Sequence, residues 1–201
     1  EGLRRPFATL PAYAVLVELS TTLPANAIDL EEVLGERLSA HVGAAEDSIS
    51  DVLMGDAEDY WRIRHRISES LRNDGEMLAF DVSVPRSLLP EFTARVVALL
   101  ARDYSFVRLC DYGHWGDGGS HLNLLWQAGD VADSDGLKSE LQDKIYAIAV
   151  REFAGSYSAE HGVGPHNQRF YDRYADPRVK RLSAVIGAFC DPQNRLGTVS
   201  L

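Results

Sequence analysis

Apolar residues recur along this chain with two periods, near 2 and near 3.6, and the switches between them mark its elements. Tyr13-Ala14-Val15-Leu16-Val17-Glu18-Leu19 is a short apolar run with β-branched residues and reads as a central strand. Asp29 can cap the helix that follows, with Glu31 and Glu32 in its first turn and Leu30, Val33, Leu34 and Leu38 on its apolar side. Ile49 to Leu53 is short and ambiguous. Asp56 to Leu71 reads as a helix, with Trp61, Ile63, Ile67 and Leu71 on one face and Arg64, Ser68 and Arg72 on a separate polar stripe. Asn73-Asp74-Gly75 ends it. Met77 to Val84 alternates like a strand, and Pro85 stops it. Arg86 to Ala101 is helical, with Leu88, Leu89, Phe92, Val96, Val97 and Leu100 apolar. Phe106 to Tyr112 is a strand, and Ser120 to Gln127 is its hairpin partner across a glycine-rich tip. Gly136 to Ala154 is a long amphipathic helix, then a glycine-framed loop carries Glu160 and His161. Asp176-Pro177 opens a last helix through Phe189, since proline suits the first helical position.

Hairpin-linked strands with helices segregated to one face predict an α+β fold, a ferredoxin-like antiparallel sheet with helices packed on one face. No linker rich in Pro, Gly or Ser divides the chain, and 201 residues suffice for one domain with a real core. A hydrophobic content of 45% and a charged content of 25% are globular values. The formal net charge of -10 argues against a nucleic-acid binder, because phosphate backbones want a basic face. No apolar run is long enough for a transmembrane segment. Cys110 and Cys190 make no disulfide framework, so each reads as a buried small hydrophobe and a cytoplasmic location is the default.

The candidate chemistry lies in two segments. In Gly113-His114-Trp115-Gly116-Asp117-Gly118-Gly119-Ser120-His121-Leu122-Asn123, two histidines bracket the glycine-rich tip, and imidazoles a hairpin apart can converge on one metal ion. Ser158-Ala159-Glu160-His161-Gly162-Val163-Gly164 can add a carboxylate and a third imidazole. The bland alternative is two hairpin histidines bonded to backbone and a solvated Glu160.

In this order the segments resemble the C-terminal domain of the FAD-linked oxidase family. That is the D-2-hydroxyglutarate dehydrogenase, glycolate oxidase and D-lactate dehydrogenase type within the vanillyl-alcohol-oxidase superfamily. The family pattern has a Trp…Arg-x-x-Ile/Leu helix, a strand ending in Ser-Val/Leu-Pro, a Gly-His-x-Gly-Asp-Gly-Asn-x-His-x-Asn hairpin, a Glu-His-Gly-x-Gly loop and a terminal Asp-Pro. Here these are Trp61 to Ile67, Ser83-Val84-Pro85, Gly113 to Asn123, Ala159 to Gly164, and Asp191-Pro192.

The resemblance implies that residues 1–201 form a single C-terminal substrate or cap domain, the N-terminal FAD-binding domain being absent from this chain. It implies a part of an FAD-dependent dehydrogenase or oxidase acting on a small 2-hydroxy acid with help from a divalent metal, zinc by family habit. Alone, the chain is expected to be colourless and inactive, since the flavin carries the redox chemistry. Reduced flavin would pass electrons to a flavoprotein, a quinone or a cytochrome, and a homodimer is compatible with the family. By position, His114, His121 and Glu160 match the metal ligands, and His161 matches either a catalytic base or a residue that orients Glu160. Arg64, with Arg62 and Arg66 as competitors, matches a substrate-carboxylate arginine, and Ser68 a substrate-side hydroxyl one turn on. Asn123 matches a substrate contact or else is a strand amide bonding backbone.

The chain departs from the family pattern at several points. Ala79 stands where a substrate-binding lysine would align, which removes the partner of a second, distal carboxylate. Gly119 replaces the usual Asn of the tip, and Pro165 to Gln168 replaces a stretch that usually carries a lysine. The end lacks the family's Asn-Pro-Gly-Lys, so its flavin-side Asn is missing or supplied by Asn194 as a cofactor-binding residue. A second reading is a non-catalytic metal- or ligand-binding or dimerisation module of the same fold.

Overall fold

In a computed structural model, residues 5–24, 26–43, 49–193 and 195 are described. The chain divides into two compact units, residues 1–70 and 71–201.

The first unit carries two helices. In α1 (Leu30–Ser39), the Asp29 carboxylate accepts from the amides of Glu31 and Glu32, both at 3.0 Å, as its position predicts. The second helix, α2 (Ala57–Arg72), bears Arg64 and Ser68 one turn apart and runs just past the boundary of the unit. The expected strand at Tyr13–Leu19 is not formed. No strand is assigned there, and its apolar side chains are exposed, Val15 by 83%. Strand preference is realised only where a neighbouring edge accepts the backbone, and the pairing described in this unit is a single bridge, Val42 to Ile49.

The second unit holds an antiparallel sheet with strand order β1-β3-β2, where β1 is Glu76–Ser83, β2 is Arg108–Tyr112 and β3 is Gly119–Trp126. The β2–β3 hairpin is the one the glycine-rich tip predicts, and the α+β expectation holds, with three strands among the described residues. Alternation splits the sheet into two faces. Leu78, Phe80 and Val82 of β1 share a face with Leu122, Leu124 and Trp126 of β3 and join the hydrophobic core.

Two longer helices supply much of the rest of that core. Helix α3 (Leu89–Asp103), entered through a 3₁₀ turn at Arg86–Leu88, contributes Phe92, Val96, Leu99 and Leu100. Helix α4 (Ser134–Ala147), capped by Asp133, contributes Leu137, Leu141 and Ile145 and continues as a π turn over Ile148–Glu152. Each fully buried Leu or Phe here stabilises the fold by about 1.5–3 kcal/mol.

A short helix the sequence pattern did not predict, α5 (Gln168–Tyr174), inserts Phe170, whose ring meets Tyr146 edge-on at 4.4 Å. With seven residues it shows too few turns for a readable period. The last helix, α6 (Pro177–Cys190), is capped by Asp176 at the Arg178 amide, 2.7 Å away. Cys110 is half-buried and Cys190 is exposed, so only the first approaches the expected buried role. Cys190 ends up in solvent because α6 buries none of its residues.

Candidate functional site

The other face of the sheet carries the chemistry. Residues two apart on β3 share it, so His121 and Asn123 lie side by side. His121 is directly opposite Asp81 on β1 and Tyr112 on β2. Asn123 is opposite Ala79 and Cys110.

The glycine-rich tip returns the chain tightly enough to bring His114 beside His121. Gly113 has no room for a Cβ, which would stand 2.7 Å from the Gly119 carbonyl oxygen and 2.9 Å from Ser120 Cα. Gly118 adopts φ +95 and passes so close to β1 that a Cβ would stand 2.4 Å from the Val84 carbonyl oxygen. The His114 carbonyl accepts from the amides of Asp117 and Gly119, closing the turn. The two imidazoles then meet edge-on, with ring centres 5.6 Å apart.

The loop after the π turn docks along the end of β1. Ser83 and Ser156 exchange both backbone hydrogen bonds. Two residues back, the Asp81 carboxylate reaches the loop, and its Oδ2 accepts from the amides of Ala159, Glu160 and His161 at 3.1, 2.9 and 2.8 Å. This fixes the loop so that the Glu160 side chain meets the hairpin. Glu160 Oε1 lies 3.0 Å from His114 Nδ1, and Oε2 lies 3.9 Å from His121 Nε2. One ligand atom from each of His114, His121 and Glu160 lies within 4.8 Å of the others. Among the described residues this is the one group of three His, Cys, Asp or Glu side chains so placed.

Two imidazoles and a carboxylate are a donor set that zinc accepts with a coordination position to spare. Donors of a tetrahedral ion with bonds near 2.1 Å stand about 3.4 Å apart, so small side-chain motions would close this set. His114 and Glu160 are half exposed while His121 is 16% exposed, so the set opens to solvent on one side.

His161 stacks on His121, with ring centres 6.0 Å apart and planes 16° apart, and its Nδ1 is 3.8 Å from Asp81 Oδ2. Asn123 is buried, and its Nδ2 donates to the His121 carbonyl at 2.7 Å, a bond of the bland kind the sequence left open. Arg64 and Ser68 belong to the first unit, on α2. Arg62, a competitor of Arg64, is spent on a surface ion pair with Asp59 at 3.2 Å. Asn194 lies outside the described residues.

Asp81 is the residue that sequence reading missed. It is 8% exposed, and its Oδ1 is buried without a hydrogen-bond partner. Burial alone would push its pKa up. The loop amides of His161 and Glu160 and the imidazoles of His161 and His121 outweigh that, and the carboxyl is held below the usual range. The signal was an acid in the middle of an apolar strand, between Phe80 and Val82.

The chain belongs to the family described as FAD linked oxidases, C-terminal domain, which it matches over residues 3–199. It is 30% identical to the mitochondrial D-2-hydroxyglutarate dehydrogenase of Arabidopsis thaliana over 199 residues, which covers 98% of this chain and 34% of that protein. It is 33% identical to the D-2-hydroxyglutarate dehydrogenase of Xanthomonas citri pv. viticola over 168 residues, covering 81% of this chain and 34% of that protein. With a D-lactate dehydrogenase of Anaerostipes hadrus the identity is 29% over 181 residues, covering 87% of this chain and 37% of that protein. The chain therefore spans about a third of the length of the curated relatives it matches. No helix among the described residues is long and apolar enough to cross a membrane.

Proposed function

We propose that this chain is the substrate side of an FAD-dependent oxidoreductase that oxidises a small 2-hydroxy acid at a divalent metal, zinc being an ion this donor set accepts. The observation that carries the reading is the meeting of His114, His121 and Glu160, from a hairpin and a loop far apart in sequence, within 4.8 Å. When bound, a divalent cation there supplies Lewis acidity toward the acid's hydroxyl and carboxylate, and the flavin, held mainly by a domain outside this chain, accepts the hydride.

The chain's own side chains do the rest. His161, exposed above His121 and steadied by Asp81, takes the hydroxyl proton. What favours this over a role in orienting Glu160 is that its ring neighbours are His121 and Asp81. Arg64 binds the substrate carboxylate through two parallel N–H bonds, and Ser68 adds a hydroxyl one turn on. Asn123, beside His121, lines the floor of the substrate site and braces the strand that bears that histidine. Asn194 serves the flavin side. The electron acceptor of the full-length protein would be a flavoprotein, a quinone or a cytochrome.

Relatives carry both D-2-hydroxyglutarate and D-lactate in their names. Ala79 is exposed opposite Asn123 and places no cation on this face, which supports a monocarboxylate such as lactate or glycolate over a dicarboxylate. The test is turnover of a panel of 2-hydroxy acids by the full-length protein, followed by bleaching of the flavin. Bleaching by short monocarboxylates ahead of 2-hydroxyglutarate is expected. Bleaching by none of the panel would refute the reading.

A further inference from the structure

We propose that Asp81 is the positioning residue of this site. It sets the tautomer of His121 and the backbone of the Glu160 loop together, so that His121 Nε2 and the Glu160 carboxylate face one point. The inference rests on the metal reading for its purpose, but not for its geometry.

Asp81 divides its two oxygens between two tasks. Oδ2 collects the three loop amides of Ala159, Glu160 and His161, and the Ala159 amide also donates to the Asp81 backbone carbonyl at 3.0 Å. Oδ1 is buried, has no hydrogen-bond partner, and lies 3.7 Å from His121 Nδ1. The strand register holds the two residues directly opposite each other, so the pair is built into the sheet. A buried carboxylate oxygen needs a donor. An imidazole nitrogen turned toward it must carry the proton, because a lone pair there would meet the negative charge. A proton on Nδ1 leaves the lone pair on Nε2, 3.9 Å from Glu160 Oε2, which can do without that proton because Glu160 is half exposed and has His114 Nδ1 at 3.0 Å, whereas Asp81 Oδ1 is buried and unpartnered. A metal-ligating histidine typically gives its other N–H to such an acceptor. A small rotation of the ring brings the Nδ1–H onto Oδ1. The same side chain that shapes the loop thus readies the ligand.

Asp81→Asn separates these roles. Its amide oxygen can still accept from the three loop amides, and its NH₂ then replaces Oδ1 opposite His121. An amide donor there forces Nδ1 to accept, which moves the ring proton to Nε2. The test uses the full 201-residue chain. Long-range ¹⁵N NMR of the histidine rings reads the tautomer at pH 8 without metal, zinc titration reads affinity, and circular dichroism checks the fold.

In the wild-type chain, His121 is expected with Nδ1–H and a bare Nε2. In Asp81→Asn the tautomer reverses, and zinc affinity falls about 10–100-fold with the fold retained. An Nε2–H tautomer in the wild-type chain, or the same tautomer in both chains, overturns the proposal. The wild-type spectrum decides alone if the variant does not fold. A reversed tautomer with no zinc bound by either chain upholds the positioning role and refutes the metal reading.

Discussion

Replacing Gly113 by alanine inserts a methyl group between the two arms of the hairpin that carries both histidines. The added Cβ would stand 2.7 Å from the Gly119 carbonyl oxygen, 2.9 Å from Ser120 Cα and 3.0 Å from the His121 amide nitrogen. All three are backbone atoms, so no flexible side chain can yield. Ordinary contact begins near 3.4 Å, so the arms must part by about 0.7 Å, and overpacking of this kind costs about 1–3 kcal/mol. At the middle of that range, thermal unfolding should fall by roughly 4–8 °C for a chain of this size. The same displacement pulls His114 away from His121, so zinc affinity should drop with stability. Gly116, three residues on, has nothing within 4 Å of its virtual Cβ, and Gly116→Ala should leave both measurements within about 0.5 kcal/mol. Differential scanning calorimetry and zinc titration of the pair make the assay. Equal behaviour of the two variants would refute the claim that the tip holds the histidines together by close backbone approach.

Asp81, whose folded pKa is depressed, stabilises the fold above the ordinary carboxylate value near pH 4 and loses that contribution as pH falls through the lower, folded value. Urea unfolding from pH 6 to pH 2 should therefore show an acid loss of stability that is flattened in Asp81→Asn. Burial, helped by the charge of Asp81, pushes the Tyr146 hydroxyl up to about 12. Its contribution is full below about pH 10 and is lost as pH rises through 12, so Tyr146→Phe should resist alkaline unfolding better than the wild-type chain. In the full-length protein, Ala79→Lys should raise kcat/KM for 2-hydroxyglutarate relative to lactate by about 10-fold, the value of one charged hydrogen bond. An unchanged ratio would remove residue 79 from substrate choice.

The parts legible in the sequence were those with local causes. The Asp29 cap, the β2–β3 hairpin and the alternation of β1 each depend on residues a few positions apart, and each formed as read. His114, His121 and Glu160 stood out through their motifs, and the structure brings the three side chains together, which is what the proposed metal site needs. Tyr13–Leu19 was misread because a strand needs an edge to join, and no local pattern reveals one. Helix α5 was missed because its packing, with Phe170 against Tyr146, comes from residues more than twenty positions apart. Asp81 escaped for a related reason. Its three amide partners lie almost eighty residues away, and only the docked loop gives a buried carboxylate its purpose.

Equilibrium dialysis against zinc shows whether His114, His121 and Glu160 form one divalent-metal centre. The wild-type chain is predicted to hold one ion per chain, and His121→Ala to lose it at the same free zinc. Equal zinc content in the two folded chains would mean that these side chains form no such centre.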